Sequence, residues 1–259
     1  MLADERLAEL LAYIREKRAA RYTQISKDLH VSQSTVRRDA AMLEQQGYIE
    51  RIYGGVRLSG ATLDKMPLPL RIQSNPDAKD VIAREAVSLL HDGMMVFLFG
   101  SSTVMRMVPH MHRLKNLRVV TNSVIICEQL LGMGIDTYLT GGKMRLSDHD
   151  FAGVHAEQAL NAFRFDASFF APTAITQDGD ITVYTDEHIG LFRRMTERSA
   201  HVYILCNAAK IGREEVFTVG HVRDVDRVIS DQPLPEHWHA IGYRGGRHDA
   251  DSTETNDEV

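Results

Sequence analysis

Val31-Ser32-Gln33-Ser34-Thr35-Val36-Arg37-Arg38-Asp39 is the stretch on which the fold of this 259-residue chain turns. Ser32 can cap a helix by accepting a hydrogen bond from an orphan amide of the first turn. The helix it opens runs from Gln33 to about Gln46, and Gly47 ends it. Val36, Ala40 and Leu43 recur at helical spacing and line one face, while Gln33, Ser34, Arg37, Arg38 and Ala41 point mostly elsewhere. A short helix built this way docks through its apolar stripe and leaves a small, polar and cationic face for the major groove of DNA.

Upstream, Leu7, Leu10, Leu11 and Ile14 follow Asp4 at helical spacing, so a helix capped by Asp4 is expected to run to about Lys17. Thr23 is placed to cap a second helix with Ile25 and Leu29 facing inward, and His30-Val31-Ser32 is a tight connection to the third. Downstream of Gly47 the period changes to that of strands: Tyr48–Ile52, then Gly54-Gly55, then Val56-Arg57-Leu58. That pattern predicts a β-hairpin whose glycines permit the turn. A helix-turn-helix followed by a hairpin is a winged helix. Its candidate DNA contacts are Thr23, Ser32, Gln33, Ser34, Thr35, Arg37 and Arg38, with Arg51, Tyr53 and Arg57 beside the groove. Arg37 or Arg38 can serve a phosphate or a guanine edge. An Arg-Arg pair also serves plain solvation, with Asp39 pairing one of the two.

Composition sets the remaining bounds. Hydrophobic residues make up 44% and charged residues 25%, ordinary for a globular chain. The length suits two domains, one small and one large. The apolar runs Met94–Phe99 and Val202–Cys206 fall far short of the roughly 20 residues that span a bilayer, and the charged Met1–Arg6 does not read as a signal peptide. Two cysteines, Cys127 and Cys206, sit in apolar stretches, which argues for core residues in a reducing compartment rather than a disulfide framework. The net charge is −5, but residues 1–60 hold ten Lys/Arg against eight Asp/Glu, whereas residues 247–259 hold one Arg against five acids. The acidity is therefore concentrated in a tail, residues 246–259, with almost nothing apolar to bury and an expected lack of order. No DNA-binding role follows from the charge balance alone.

Residues 59–74, with Pro67 and Pro69, suit a linker between a winged helix of residues 1–58 and a larger domain of residues 75–245. The larger domain opens with a helix whose apolar side is Ile82, Ala86 and Leu89–Leu90. Buried strands are expected at Met94–Phe99, Leu117–Thr121, Thr137–Thr140, Ala167–Ala171, Val202–Cys206 and Arg227–Ser230. Helices fit between several of them, around Val124–Leu131 and His188–Arg198. The alternation predicts an α/β domain with a mainly parallel sheet. In such sheets ligands sit at the carboxyl ends of the strands. Gly100-Ser101-Ser102-Thr103, Thr121-Asn122-Ser123 and Gly141-Gly142-Lys143 stand at three such ends, with hydroxyls, amides and close backbone approach suited to a phosphate or sugar. Lys210 adds a cation. Plain turns have the same composition, so the argument rests on the three loops together.

The stretch 31–39, with Leu43, Gly47, Arg51 and Gly54-Gly55, resembles the DNA-binding signature of DeoR-family regulators. Ala40 is a departure, since the family usually has leucine there. The large domain resembles the family's sensor domain, which is similar to ribose-phosphate and sugar-phosphate isomerase folds: Gly100–Thr103 matches its GTTT-like loop, Thr121-Asn122-Ser123 its TNS and Gly141-Gly142 its GG. Asp178-Gly179, Glu187 and Val228–Asp231 fit as well. The resemblance implies a cytoplasmic, DNA-binding repressor of carbohydrate genes, a homo-oligomer at least dimeric on double-stranded operator DNA, with a phosphorylated sugar or related metabolite as effector. It implies no cofactor, and Glu187 as a non-catalytic position among the effector-site residues.

Three positions depart from the sensor pattern: Leu98 where aspartate is common, Pro172 where a glycine stands, and Asn207-Ala208-Ala209 in place of Asp-x-Ser. They remove hydrogen-bonding groups, so an atypical effector or a weak or silent pocket is expected. A sugar-phosphate isomerase-like enzyme is the alternative. It needs a poised acid/base group, for which Glu187 and His188 are the candidates. His110-Met111-His112, His237-Trp238-His239 and His149-Asp150 lack the accompanying ligands of a structural zinc site, so no metal and no catalytic residue are assigned.

Overall fold

The computed structural model describes residues 3–45, 48–58, 68–241 and 243. The chain divides into two compact units, and the division falls between Ser74 and Asn75.

The first unit contains α1 (Ala3–Lys17), β1 (Ala19–Arg21), α2 (Tyr22–Asp28), α3 (Gln33–Gln45), β2 (Ile49–Ile52), β3 (Gly55–Leu58) and α4 (Leu68–Gln73). The inward stripe of α3, Val36, Ala40 and Leu43, packs with Leu10, Leu11 and Ile14 of α1, Ile25 of α2, and Ile49 and Val56 of the hairpin. Each such large apolar side chain contributes roughly 1.5–3 kcal/mol by leaving water, which is how so small a unit holds together. Ser32 caps α3 as expected, its Oγ accepting from the Thr35 N–H at 3.2 Å.

Two other caps differ from expectation. Asp4 lies inside α1, and α2 starts two residues early at Tyr22, with Arg21 rather than Thr23 in the cap position and no side-chain cap. Thr23 therefore belongs to the first turn of α2 and is exposed. Burial explains the early start, because Tyr22 and Ile25 both enter the core from α2. The wing also has a strand that the pattern did not reveal. β1 pairs antiparallel with β3, giving the order β1-β3-β2.

Of the expected linker, residues 59–67 lie outside the described residues, while Leu68–Gln73 is helical rather than irregular. The acidic tail also lies outside them.

The second unit opens with α5 (Pro76–Ser88), whose buried face includes Ile82, Ala83 and Ala86. All six expected strands form: β4 (Met95–Leu98), β5 (Arg118–Thr121), β6 (Asp136–Leu139), β9 (Phe165–Phe170), β12 (Ser199–Leu205) and β14 (Arg227–Ile229). They make one parallel sheet in the order β14-β12-β9-β4-β5-β6. Phe97, Phe165, Ile204 and Val228 from four of these strands share a core with Leu191 and Met195. Helices α6 (Val124–Gly132), α7 (Val154–Ala159) and α8 (Glu187–Arg198) connect them.

Two antiparallel additions went unread in the sequence, a hairpin of β7 (Lys143–Arg145) and β8 (Asp150–Ala152), and a small sheet in the order β10-β11-β13. Its strands are β10 (Ala174–Ile175), β11 (Asp180–Val183) and β13 (Phe217–His221). Cys206 is buried as expected, whereas Cys127 is only partly so. Because the six strands run in register and in one direction, their carboxyl ends, and the loops that follow, lie along a single edge.

Candidate functional site

The first unit presents one polar face. Ser32, Gln33, Ser34, Arg37 and Arg38 are exposed on or before α3, and Thr35 is partly so. Tyr53 stands fully in solvent at the turn of the wing. The cations of this face differ in what holds them. Arg51 donates from its backbone N–H to Glu44 at 2.9 Å and pairs with it through its side chain, tying the wing to α3. Arg57 pairs across the hairpin with Glu50. The Arg37 guanidinium sits over the ring of Tyr22, 4.5 Å from its centroid. Asp39 pairs with neither Arg37 nor Arg38; it is taken by Arg6 of α1.

In the second unit the parallel register gathers the loops after β4, β5 and β6 at the carboxyl edge. Asn122 ties them together. Its Oδ1 accepts from the Gly100 N–H at 2.7 Å, and its Nδ2 donates to the Phe151 carbonyl at 3.0 Å. Thr121 donates to the Leu98 carbonyl at 2.7 Å, and Ser123 caps α6 by accepting from Ile126. Gly100 is tightly enclosed, since a Cβ there would lie 3.1 Å from those of Ser123 and Asp150. Ser101, Ser102, Thr103, Thr121, Asn122 and Ser123 are all buried. Of these, the side chains of Ser101, Thr121, Asn122 and Ser123 hydrogen-bond within the loops. Gly141 and Gly142 both have positive φ, 67° and 116°, a backbone that favours glycine at the turn into β7.

Lys143 donates to Glu187, the first residue of α8, at 2.9 Å, so these two predicted residues meet. Lys210 donates to the Pro172 carbonyl at 2.9 Å, on the β9–β12 side of the edge. Leu98 is fully buried, its carbonyl accepting from Thr121, and Asn207 accepts from the Ala209 N–H.

Sequence reading missed a polar cluster in the β7–β8 hairpin. Arg145 clasps Asp150 with two hydrogen bonds, at 2.8 and 2.7 Å, and lies 3.5 Å from Asp148. Tyr184 donates to Asp148 at 2.9 Å, and Glu187 comes within 3.8 Å of Arg145. Burial lowers the pKa of Arg145, but its hydrogen bonds to Asp150 and the charges of Asp150, Asp148 and Tyr184 more than offset this and raise it. The guanidinium is thus a fixed charge. The signal was present in Arg145-Leu146-Ser147-Asp148-His149-Asp150, a cation and two acids bracketing a turn. Weighing His149-Asp150 only as a candidate metal-ligand pair hid it.

A cleft of about 570 Å³ opens at the opposite, amino-terminal edge, lined by Met111, His112, Arg118 and Asp136 among others. None of the predicted effector residues lines it. Among the described residues no group of His, Cys, Asp and Glu is arranged to hold a metal ion, and no helix is long and apolar enough to cross a membrane.

Residues 6–62 match the family model of the DeoR-like helix-turn-helix domain, and residues 74–232 match that of the DeoR C terminal sensor domain. The chain belongs to the DeoR family. It is 30% identical to the lactose phosphotransferase system repressor of Staphylococcus epidermidis, over 88% of this chain and 91% of that one. It is also similar to the HTH-type transcriptional repressor GlcR of Bacillus subtilis, at 29% over 90% of each, and to the putative aga operon transcriptional repressor of Escherichia coli O157:H7, at 26% over 90% and 87%. Among solved structures, ribose 5-phosphate isomerase A from Methanocaldococcus jannaschii matches with a TM-score of 0.40 and 16% identity, over 53% of this chain and 55% of that one. For this DeoR-family chain, the winged helix is its DNA-binding domain and transcription regulation its function.

Proposed function

We propose that the chain is a cytoplasmic repressor of carbohydrate-metabolism genes. It binds double-stranded operator DNA as a homo-oligomer, at least a dimer, and responds to a phosphorylated sugar. The observation that carries this reading is α3, capped by Ser32, buried on one face through Val36, Ala40 and Leu43, and exposed on the other through Ser34, Arg37 and Arg38. Ser32, Gln33, Ser34, Thr35, Arg37 and Arg38 meet the DNA from α3, Thr23 from α2, and Arg51, Tyr53 and Arg57 from the wing. Arg51 and Arg57 exchange Glu44 and Glu50 for phosphates on binding, so their net gain is smaller than that of an unengaged cation.

The effector lies on the loops after β4, β5 and β6. The backbone of Gly100–Thr103 and Gly141-Gly142, together with Lys143, Glu187 and Lys210, contacts it, while Thr121, Asn122 and Ser123 hold the loops in shape. The name of one relative, the lactose phosphotransferase system repressor, supports this class of ligand. Binding shifts the equilibrium between DNA-competent and DNA-incompetent arrangements by its differential affinity for the two. An isomerase reading finds less support. Asp148 and Asp150, the buried acids at this edge, are engaged by Arg145, and a general base must be available to take a proton.

The test starts from a complex of the full chain with DNA from upstream of its own gene. Hexose and pentose monophosphates are added beside the same sugars without phosphate, and DNA release is followed by fluorescence anisotropy. Release by one phosphorylated compound, and not by its sugar, supports the reading. Release by the free sugar alone contradicts the phosphate assignment, and turnover of the compound by the protein revives the isomerase.

A further inference from the structure

We infer that the two adjacent arginines of α3 divide the work on DNA: Arg38 reads a guanine in the major groove, and Arg37, held on the ring of Tyr22, takes a backbone phosphate. This rests on the DNA-binding reading above and assigns what that reading leaves open.

The geometry of α3 separates the two. A helix advances about 100° per residue. Measured from the mean direction of Val36, Ala40 and Leu43, Arg38 points roughly opposite the buried stripe, and Arg37 about a quarter turn away from it. Arg38 therefore stands at the centre of the outward face, between Ser34 one turn before and Ala41 on the next turn. Both neighbours are small, so the helix can come close enough for the arginine to reach a base edge. Arg37 lies on the flank that faces α2, where the buried Tyr22 ring receives its guanidinium at 4.5 Å from the centroid.

Partners point the same way. Arg6 is committed to Asp39, Arg51 to Glu44 and Arg57 to Glu50. Arg38 is exposed and, among the described residues, makes no hydrogen bond, ion pair or ring contact. An arginine with no partner to give up keeps its whole fork for the O6 and N7 acceptors of guanine, the pairing its geometry fits best. An arginine stacked on a ring has lost freedom, and its charge is held on the flank of the helix rather than at the centre of its outward face. Phosphate contacts of that kind set register and carry no sequence information. Tyr22 is then a positioning residue, acting through Arg37.

The experiment uses the full chain and the footprinted operator duplex from its own upstream region, with an unrelated duplex of equal length as control. Guanines of the operator are replaced singly by 7-deazaguanine, which lacks the N7 acceptor. Arg38→Ala should weaken operator binding by roughly 5- to 150-fold, leave binding to the unrelated duplex nearly unchanged, and abolish the 7-deaza penalty at one guanine per half-site. Arg37→Ala should weaken both duplexes alike, keep every 7-deaza penalty, and reduce the slope of log K against log salt by about one.

Tyr22→Leu should shift binding in the same direction as Arg37→Ala, and Tyr22→Phe, which keeps the ring, should behave as wild type. Both arginines are on the surface, so their variants report on binding even if Tyr22→Leu is too unstable to use. A 7-deaza penalty lost in Arg37→Ala and kept in Arg38→Ala overturns the division, as does equal loss of selectivity in both. A wild type that does not prefer the operator to unrelated DNA overturns the DNA-binding reading beneath it.

Discussion

Arg6 grips Asp39 through two hydrogen bonds, at 2.5 and 3.1 Å, and the carboxylate so held is 1% exposed. The last residue of the signature stretch is thus a structural strut that fixes α3 against α1, although it directly follows the two arginines in sequence. Removing either partner leaves the other without its mate in a largely buried place. Arg6→Ala and Asp39→Ala should each lower the thermal unfolding midpoint, and the double variant should be no worse than Asp39→Ala alone. Additive losses, measured by a calorimetric or circular-dichroism cycle, would mean that the two do not act as a unit.

The glycine pair of the wing serves two different needs. Gly54 has φ +78° with open space around it, so Gly54→Ala should cost roughly 1–2 kcal/mol from backbone conformation. Gly55 is crowded instead: a Cβ would lie 2.3 Å from the backbone oxygen of Ala20. Gly55→Ala must push β1 away from β3, at about 1–3 kcal/mol or more. Chemical denaturation should find Gly55→Ala at least as destabilising as Gly54→Ala. The reverse order would show that β1 is not tightly held.

In the sensor unit, Asp150→Ala takes from the buried Arg145 both of its shortest contacts, leaving Asp148 at 3.5 Å and Glu187 at 3.8 Å, and removes the oxygen to which Asn122 Nδ2 donates at 3.4 Å. A loss of about 3–5 kcal/mol is expected for breaking a buried pair. Arg145→Met, which removes the cation but keeps apolar bulk, should bring the loss in the double variant below that of Asp150→Ala alone. Urea denaturation of the four proteins decides the point.

Acid should loosen the wing through Glu44. The Arg51 backbone N–H first, and then its side chain, hold the Glu44 carboxyl below the usual carboxylate range. A depressed folded pKa stabilises at pH values above the unfolded one, and that support is lost as pH falls through the folded value. Glu44→Gln should therefore be less stable than wild type at neutral pH, with the gap closing at acid pH. A gap that stays constant on acidification would remove Glu44 ionisation from the account.

Much of the fold was legible in the sequence for a physical reason. All six parallel strands were found, the inner ones because apolar runs such as Phe97, Phe169 and Ile204 have nowhere to go but the core; β6, expected to be buried, is instead a largely exposed edge strand. The inward stripe of α3 was equally plain. What escaped was held by longer-range terms. β1 is three residues, Ala19–Arg21, with no periodicity to display, and it exists because Gly55 lets it approach. The β7–β8 hairpin has exposed Met144 and Leu146 and is organised by Arg145 and Asp150 rather than by an apolar pattern. Thr23 looked like a cap because threonine often is one, but burial of Tyr22 moved the helix start.

At the candidate site the loops were legible and the roles of their side chains were not. The residue types of Thr121-Asn122-Ser123 suit a ligand and a turn equally well. Only the pairings of Asn122 with Gly100 and of Thr121 with Leu98 show that these side chains are already engaged.

The central claim is tested most directly by the affinity of the full chain for its own upstream DNA, beside a scrambled duplex of the same length, across a salt series. The account predicts binding at least about a thousandfold tighter to the upstream DNA near physiological salt, with log K falling linearly in log salt on both duplexes. Equal affinity for the two, at every salt concentration, would contradict it.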